Sequence, residues 1–414
     1  VRLAVCDPDG RSGAELSAPY PGPFHHPESW RQGFLHLVAQ LPQALRQRVG
    51  AIAFAGTSGT LLLCQADGGL LPGEAGQALP YSLACESHLQ EARRLVGTFD
   101  HPAAQASGSV ARALSLLEGC RSLPLSSHLL LRHQADWLMG WLLGNWRWGE
   151  EGNNIRLGWD VRQQRWVGGV GQASWAGALP EIVASGTVLG PMDPQLVAAL
   201  GFHTGCLVVA GTTDANAAVL AADPAPDEGI TVLGSTLVLK QFVPLPIQGV
   251  GVSCHRVNGR WLLGGASNTG AAILSRYFSG PMLQELSRQI DPTESTGLRL
   301  RPLLGIGERF PVDDPRLEPI LTPRPVSDAR FLQALLEGIT AIEVEGWRRF
   351  QALGAPPVRR ILTMGGGASN AQWRLMRQRA LGLPIRNRPK LSAAWGMARL
   401  AQAKMGSFTS SPDA

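Results

Sequence analysis

The chain has 414 residues, 44% of them hydrophobic and 17% charged, which is enough apolar material for two packed domains and excludes an intrinsically disordered protein. Its net charge of +5 is spread over scattered Arg, the only lysines being Lys240, Lys390 and Lys404, so groups such as "VRRI" read as solvated helix faces and not as a nucleic-acid surface; Schiff-base chemistry is equally disfavoured. Six widely spaced Cys without C-x-x-C, nine His without H-E-x-x-H, and no apolar run near ~18 residues argue against a disulfide framework, a zinc site and a membrane span; with no signal peptide recognised, the expected location is the cytoplasm.

In chain order, "VRLAVCDPDGRSGAELSAPY" predicts a β-hairpin, with Val1, Leu3 and Val5 alternating and Asp9-Gly10 at the turn. Apolar spacing over 28–48 (Trp30, Phe34, Leu37, Val38, Leu41, Leu45) predicts a helix. "VGAIAFAG" (49–56) predicts a buried strand running into the loop Thr57-Ser58-Gly59-Thr60, after which "LLLC" resumes as strand. Helices are predicted over 108–118 and 127–143, then a loop rich in Trp, Asn and Gly at "GNWRWGEEGNNIRLGWD", a helix at 193–200 and a buried parallel-type strand at "CLVVAG". "GITVLGSTLVLKQFV" predicts two short strands around Gly234-Ser235-Thr236, and "WLLGGASNTGAAILSRYF" a strand, a glycine turn and a helix. A Pro-rich irregular stretch (291–327), a long helix near 328–353, strand–turn–helix–strand at "RRILTMGGGASNAQWRLMRQRALGLPI" and a helix at "SAAWGMARLAQAK" complete the chain. The repeated strand, glycine turn and helix argue for an α/β fold with helices on both sheet faces, and "ADPAPDEG" (222–229) is a candidate domain junction.

Three glycine turns, in "LGSTLVLK", "GGASNTG" and "GGGASN", set Gly beside Ser, Thr or Asn at a strand end. Backbone N–H groups with no Cβ in the way, hydroxyls beside them and a helix N-terminus behind make a phosphate cradle. None is a P-loop or a clean G-x-G-x-x-G. In "LVVAGTTDANAAVLAA" (207–222) a buried strand ends on Asp214, and two readings stay open. The carboxylate takes a proton from an attacking hydroxyl, or it caps the helix that begins at Ala215. The alanines behind it allow close packing. Trp137, Trp141, Trp146, Trp148 and Trp159 either stack on a sugar or pack the core, and Asp136 and Asp160 read as surface or capping acids.

"AGTTDANAA" resembles the motif that carries the catalytic aspartate in the FGGY carbohydrate kinases of the actin-like ATPase superfamily. The ordered set "GTSGTLLL", "NNIRLGWD", "GTTDANAA", "LGSTLVLK", "GGASNTG" and "MGGGASNAQWRLMRQRALGLPI" extends the resemblance over nearly the whole chain. Within the family, "GTSGTLLL" and the spacing from the acid to "LGST" are most similar to the D-ribulose kinases of cyanobacteria and plants. The resemblance implies an α/β fold of two actin-like (ribonuclease H-like) domains, with mixed sheets flanked by helices and a cleft between them. Residues 1–221 would be the sugar-binding domain, with 393–408 packing back on it, and 222–392 the ATP-binding domain.

It also implies roles. Asp214 would be the general base toward the terminal sugar hydroxyl. Gly234, Ser235 and Thr236 would form a phosphate turn, and Gly265 and Ala266 would lie near the phosphates or ribose. Gly366, Gly367, Ala368 and Asn370 would line the adenosine site with Ser369 beside them. Ser58, Asn153, Asn154 and Trp159 would contact or border the sugar. The reaction expected is phosphorylation of a ketopentose by ATP with Mg²⁺, D-ribulose first and D-xylulose as the alternative, in a monomer or homodimer with no nucleic-acid or membrane partner and no assignable metal ligand on the chain. One departure stands out. The family opens on a strand and an Asp-x-Gly-Thr-Ser-Gly turn, whereas "VRLAVCD" resembles the strand that follows. The first strand and its loop are therefore expected to be absent, leaving a weak kinase or a non-catalytic sugar- or nucleotide-binding protein.

Overall fold

The computed structural model describes residues 1–10, 13–120, 129–388 and 391–408. The chain forms two compact units. One comprises Val1–Ala221, Arg256–Gly259 and Ser392–Ala414, the other Ala222–His255 and Arg260–Leu391.

In the first unit, β1 (Arg2–Cys6) and β2 (Gly13–Ser17) form the expected antiparallel hairpin, with Leu3 opposite Leu16 and Val5 opposite Ala14. Helix α1 (Pro27–Ala39) is shorter than the periodicity suggests. Pro42 cannot donate to the helix ladder, and only a separate turn, Gln43–Arg46, follows. The strand β3 (Ala51–Gly56) leads through Thr57–Thr60 to β4 (Leu61–Gln65). The helix expected over 127–143 is divided: residues 127–128 lie outside the described residues, Leu129–His133 is the strand β5, and α2 begins only at Gln134 and runs to Leu143. The apolar run "LLLRH" pairs antiparallel with "LLLCQ", from Leu61 opposite His133 to Gln65 opposite Leu129, and burial on that partner overrides its helical spacing. Further on, β6 (Val188–Pro191) pairs antiparallel with β7 (Leu207–Thr213), and β7 pairs parallel with β3, giving the order β6-β7-β3. Helix α3 (Asp214–Ala222) leaves the carboxyl end of β7.

The alanines of α3 and the glycine before it have a packing reason. A Cβ on Gly211 would lie 1.7 Å from the Phe54 carbonyl oxygen, so only Gly lets β7 approach β3 there; a Cβ on Gly396 would lie 1.8 Å from the Ala217 carbonyl oxygen, so the closing helix (Ala393–Phe408) presses directly on α3. One expectation fails in β3. Its five residues Ala51–Ala55 are only half-buried although their composition is that of a core strand, because β3 borders a cavity of about 880 Å³.

The second unit is built on one six-stranded mixed sheet. Its strands are β8 (Glu228–Leu233), β9 (Leu237–Val243), β10 (Val252–Val257), β11 (Arg260–Ala266), β12 (Arg360–Met364) and β13 (Ile385–Asn387), in the order β10-β11-β9-β8-β12-β13. β8 is antiparallel to β9 and parallel to β12. The 25-residue helix α4 (Asp328–Ala352), capped by the Ser327 side chain, buries Phe331, Leu335, Ile339, Ile342 and Phe350 in the core; α5 (Ala371–Leu381) follows β12. Between them lies a buried ion pair. Arg377 on α5 donates from Nε (2.6 Å) and Nη2 (2.7 Å) to the Glu343 carboxylate on α4, and from Nη1 to Thr363 Oγ1 on β12 (2.8 Å), while Thr231 Oγ1 on β8 donates to Glu343 (2.6 Å). Both charged side chains are 1% exposed, so the network joins two helices to two strands with its charges fully desolvated.

Breaking such a pair from one side strands a charge in a low-dielectric interior. Arg377→Met is therefore expected to lower stability by about 3–5 kcal/mol, and adding Glu343→Gln to recover much of that loss. Urea unfolding followed by a probe in the second unit checks this; a single-variant loss under about 1 kcal/mol would mean the pair is not the clamp described.

Candidate active site

In the first unit, register places the chemistry. Thr213 lies opposite Gly56 in the parallel β7–β3 pair, so Asp214 and Thr57 leave neighbouring strands at the same, carboxyl end, where α/β sheets present side chains to ligands. Asp214 is exposed, and it lines the 880 Å³ cavity together with Tyr20, Thr57 and Gln134. The helix cap comes from the residue before it. Thr213 Oγ1 accepts from the Asn216 N–H (3.3 Å), while Asp214 Oδ1 accepts from its immediate neighbour, the Ala215 N–H (2.7 Å).

A chain of hydrogen bonds fixes the surrounding groups. Gln134 Oε1 accepts from both the N–H and the hydroxyl of Thr57 (3.0 and 3.1 Å), so the Thr57–Thr60 contact (2.6 Å) has Thr60 as donor; Thr60 in turn accepts from the Tyr81 N–H (3.1 Å). Gln134 Nε2 donates to the Tyr20 hydroxyl (3.4 Å), which leaves the Tyr20 proton available to a ligand. Burial raises the Tyr20 pKa above its ordinary value, the Gln134 bond opposes this, and the charge on Asp214 adds to it, so Tyr20 stays a donor. Buried Arg112 clamps the loop from below, donating to the carbonyls of Gly59 (3.0 Å), Tyr81 (2.6 Å) and Leu83 (2.7 Å); burial pulls its pKa down to about 10.

Sequence reasoning named Ser58 in this loop but passed over Tyr20, Thr57, Thr60, Arg112 and Gln134. Ser58 is half-buried beside them. The available signal was Gln134 itself, a polar residue at the junction of an apolar strand and an apolar helix, the same placement that singles out Asp214.

Behind this end lies a buried polar cluster. Asn153 and Asn154 are 0% exposed and turn inward. Asn153 donates through its N–H and Nδ2 to Glu150 Oε2 (2.9 and 3.0 Å), and Asn154 Nδ2 donates to Asp136 Oδ2 (3.0 Å). Asp136 also accepts from the Glu150 N–H (2.9 Å). It is 1% exposed and is no surface acid, since α2 buries it where its carboxylate can tie this loop; Asp160, by contrast, does cap a turn, accepting from the N–H groups of Arg162 and Gln163. Trp159 is half-buried and packs edge-on against Trp166 at 5.3 Å. Trp137 and Trp141 are core residues, Trp146 packs under Gly140 and Gly68, and Trp148 lies under the Arg147 guanidinium at 3.9 Å.

In the second unit, β8 and β12 are parallel neighbours, so the turns Gly234–Thr236 and Gly365–Ser369 sit side by side at their carboxyl ends. Gly366 and Ser369 are exposed, and a Cβ on Gly366 would meet no protein atom within 4 Å; Ser235 is exposed in the neighbouring turn. Asn370 caps α5, its Oδ1 accepting from the Trp373 N–H (2.9 Å) and its Nδ2 donating to Ser287 Oγ (2.8 Å). Ala368 is buried. The turn after β11 is arranged differently. Gly265 leaves room for the Phe310 ring, which a Cβ would approach to 2.6 Å. Beyond Ala266, Ser267 and the Asn268 N–H donate to buried Glu308 (2.5 and 2.8 Å), and Thr269 Oγ1 donates to the Pro302 carbonyl (2.6 Å), so these side chains serve the fold. Among the described residues no group of three or more His, Cys, Asp or Glu is placed to hold a metal ion, and no helix is long and apolar enough to cross a membrane.

Residues 246–405 match the model of the C-terminal domain of the FGGY family of carbohydrate kinases. Over nearly its whole length the fold is similar to that of several solved sugar kinases. It superposes on a ligand-bound xylulose kinase from Lactobacillus acidophilus with a TM-score of 0.77, 16% identity, and 97% of this chain and 86% of that one covered. A gluconate kinase from the same organism gives 0.77, 14%, 98% and 89%, and the Plasmodium falciparum glycerol kinase with ADP gives 0.75, 14%, 98% and 88%. Three different substrates on one fold mean that the fold alone does not choose the sugar.

The cluster behind Asp214 has a measurable signature. Burial first, then the charges of Asp136 and Glu151, hold Glu150 well above the ordinary carboxyl range, against the opposing N–H bonds of Gly152 and Asn153. The folded chain thus keeps a proton that the unfolded chain releases, and stability falls as pH rises above the ordinary carboxyl value, by at most about 1.4 kcal/mol per unit. Glu150→Gln removes this dependence, so the gap in urea midpoint between variant and wild type is expected to shift in the variant's favour from about pH 5 to about pH 8. A gap that stays constant would contradict the assignment.

Proposed function

We propose that the protein transfers the γ-phosphoryl group of ATP to a hydroxyl of a ketose, with Asp214 as general base. The observation that carries this reading is the carboxylate of Asp214, exposed into a cavity at the carboxyl end of a buried strand, beside Tyr20, Thr57 and Gln134, while Thr213 supplies the helix cap. Phosphoryl transfer needs little covalent chemistry from the protein; it needs the nucleophile positioned and the phosphate charge offset. A carboxylate with a reference pKa of ~3.9 is a weak base for an alcohol, yet it serves because the proton leaves as the O–P bond forms. Tyr20 and the Thr57–Gln134 pair are suited to orient sugar hydroxyls, one as donor and the other as a fixed polar edge. Asn153, Asn154, Asp136 and Glu150 act from behind as positioning residues, and Ser58 and Trp159 are the remaining candidates for sugar contact.

ATP is assigned to the paired turns of the second unit. Gly234, Ser235 and Thr236 supply N–H and hydroxyl groups to phosphate, and Gly366, Gly367, Ala368 and Ser369 form the adjoining wall, with Asn370 fixing its shape as the α5 cap. Gly265 and Ala266 contribute shape at most, given the Phe310 contact. Mg²⁺, which offsets phosphate charge, would be carried on the ATP oxygens and its waters.

Among ketoses we favour D-ribulose, on the motifs "GTSGTLLL" and the spacing from Asp214 to "LGST"; D-xylulose is the second reading, supported by the xylulose kinase among the structural relatives. The location that fits this role is the cytoplasm. Asp214→Ala is expected to lower kcat by about 10²–10⁴ while leaving KM for ATP and ketose little changed, measured by coupled ADP release. A kcat within about tenfold of wild type would remove Asp214 from the role of base.

A further inference from the structure

Four buried oxygens around the helical turn Glu151–Asn154 have no hydrogen-bond partner among the described residues: Glu150 Oε1, Asn153 Oδ1, Asn154 Oδ1 and Thr212 Oγ1. The four residues are at most 1% exposed. The other atoms of the same groups are spent. Glu150 Oε2 accepts from the N–H and the Nδ2 of Asn153 (2.9 and 3.0 Å), and Asn154 Nδ2 donates to Asp136 Oδ2 (3.0 Å) and to the Glu150 carbonyl (2.9 Å). These bonds fix which way each amide faces, since an amide oxygen in place of Nδ2 would meet a carboxylate. A buried acceptor left open in this way costs free energy until something donates to it or coordinates it.

The open oxygens share one neighbourhood. The turn Glu151–Asn154 packs on β7, and Gly152 has no side chain at that contact. A Cβ there would stand 3.0 Å from Glu150 Oε1 and 3.4 Å from Thr212 Oγ1, so both oxygens border the space beside Gly152. The two amide oxygens belong to groups bonded directly to Glu150. The Thr212 hydroxyl is chemically able to donate to any of the other three oxygens and bonds to none of them, so the set is held apart and not paired within itself. Positive charge is short in the same place. Of the buried carboxyls here, Glu151 is paired with Arg256 of the same unit (2.8 Å), Asp136 has His133 Nδ1 at 3.6 Å, and among the described residues no cationic side chain pairs with Glu150.

We propose that Glu150 Oε1, Asn153 Oδ1, Asn154 Oδ1 and Thr212 Oγ1 hold a dehydrated monovalent alkali cation, Na⁺ or K⁺, between the Glu151–Asn154 turn and β7. The donor set chooses the ion. It is hard oxygen throughout, with no sulfur or imidazole, which disfavours zinc and copper. It brings one carboxylate, so a single positive charge balances it, whereas a divalent ion would stay undercompensated in a buried site. A carboxyl with no counter-charge keeps its proton; the cation takes that place, and the proton leaves to solvent. Occupied, the site fastens the turn to β7 two residues before Asp214. The proposal stands on the unpartnered oxygens and holds whether or not the protein is a kinase.

The test is urea unfolding of the full chain at pH 8, followed by a probe in the first unit, in NaCl, KCl or choline chloride at equal ionic strength. Choline is too large to enter a site made by buried side chains. Na⁺ or K⁺ is expected to raise the folding equilibrium constant saturably, by at least about tenfold over choline. Glu150→Gln removes the charge and offers its own N–H donors to the open oxygens, and is expected to abolish the difference between salts. Thr212→Val keeps shape and charge but removes one ligand, so the cation concentration needed for half the effect is expected to rise by at least about tenfold; a hydroxyl with a structural role alone would alter stability equally in all three salts. Equal stability of the wild type in the three salts would mean that protons and water close the cluster, and overturns the proposal. A cation response left unchanged by either substitution would place the ion elsewhere, and also overturns it.

Discussion

The parallel contact of Leu207–Thr213 with Ala51–Gly56 is the constraint from which the arrangement of the Asp214 end of the first unit follows. Gly211 permits the approach, because any Cβ there would collide with the Phe54 carbonyl. Once the two strands are in register, Asp214 and Thr57 must emerge together, and α3 must start where its alanines meet Gly396 of the closing helix. Small residues at 211, 217 and 396 are thus the condition for an acid at a defined position, while the Thr213 hydroxyl accepts from the Asn216 N–H in the first turn of the helix.

The second unit solves a similar problem with charge. Its two glycine turns are level because β8 and β12 are parallel neighbours, and the buried Arg377–Glu343 pair, with Thr231 and Thr363, ties both strands to α4 and α5. A desolvated ion pair of this kind contributes little net stability against an apolar alternative. Its geometry, however, allows only one relative placement of the four elements, which is what turns at two separate strand ends require.

Much of this was legible in sequence where local chemistry dominates. "LVVAGTTD" announces a buried strand with an acid tip, and Gly-Ser/Thr/Asn clusters announce turns at strand ends. The readings that changed are those decided by a distant partner. "LLLRH" carries helical spacing but becomes a strand because "LLLCQ" pairs with it, 72 residues earlier at Leu61 and His133. Asp136 reads as a surface acid, yet it is interior because Glu150 and Asn154 supply its hydrogen bonds. Gly265 reads as a phosphate glycine, and it packs on a Phe 45 residues away. Tyr20, Gln134 and Arg112 carry no local motif and become visible only once the Thr57–Thr60 loop is folded among them.

The central claim is that the cavity beside Asp214 accepts a ketose and that its hydroxyl, not water, receives the phosphoryl group. The most direct measurement is ADP release from Mg-ATP by the full chain with D-ribulose, with D-xylulose and with no sugar. The account predicts turnover that requires a ketose and is faster with D-ribulose. Hydrolysis that proceeds equally without sugar, or ATP binding with no turnover on any ketose, would contradict it.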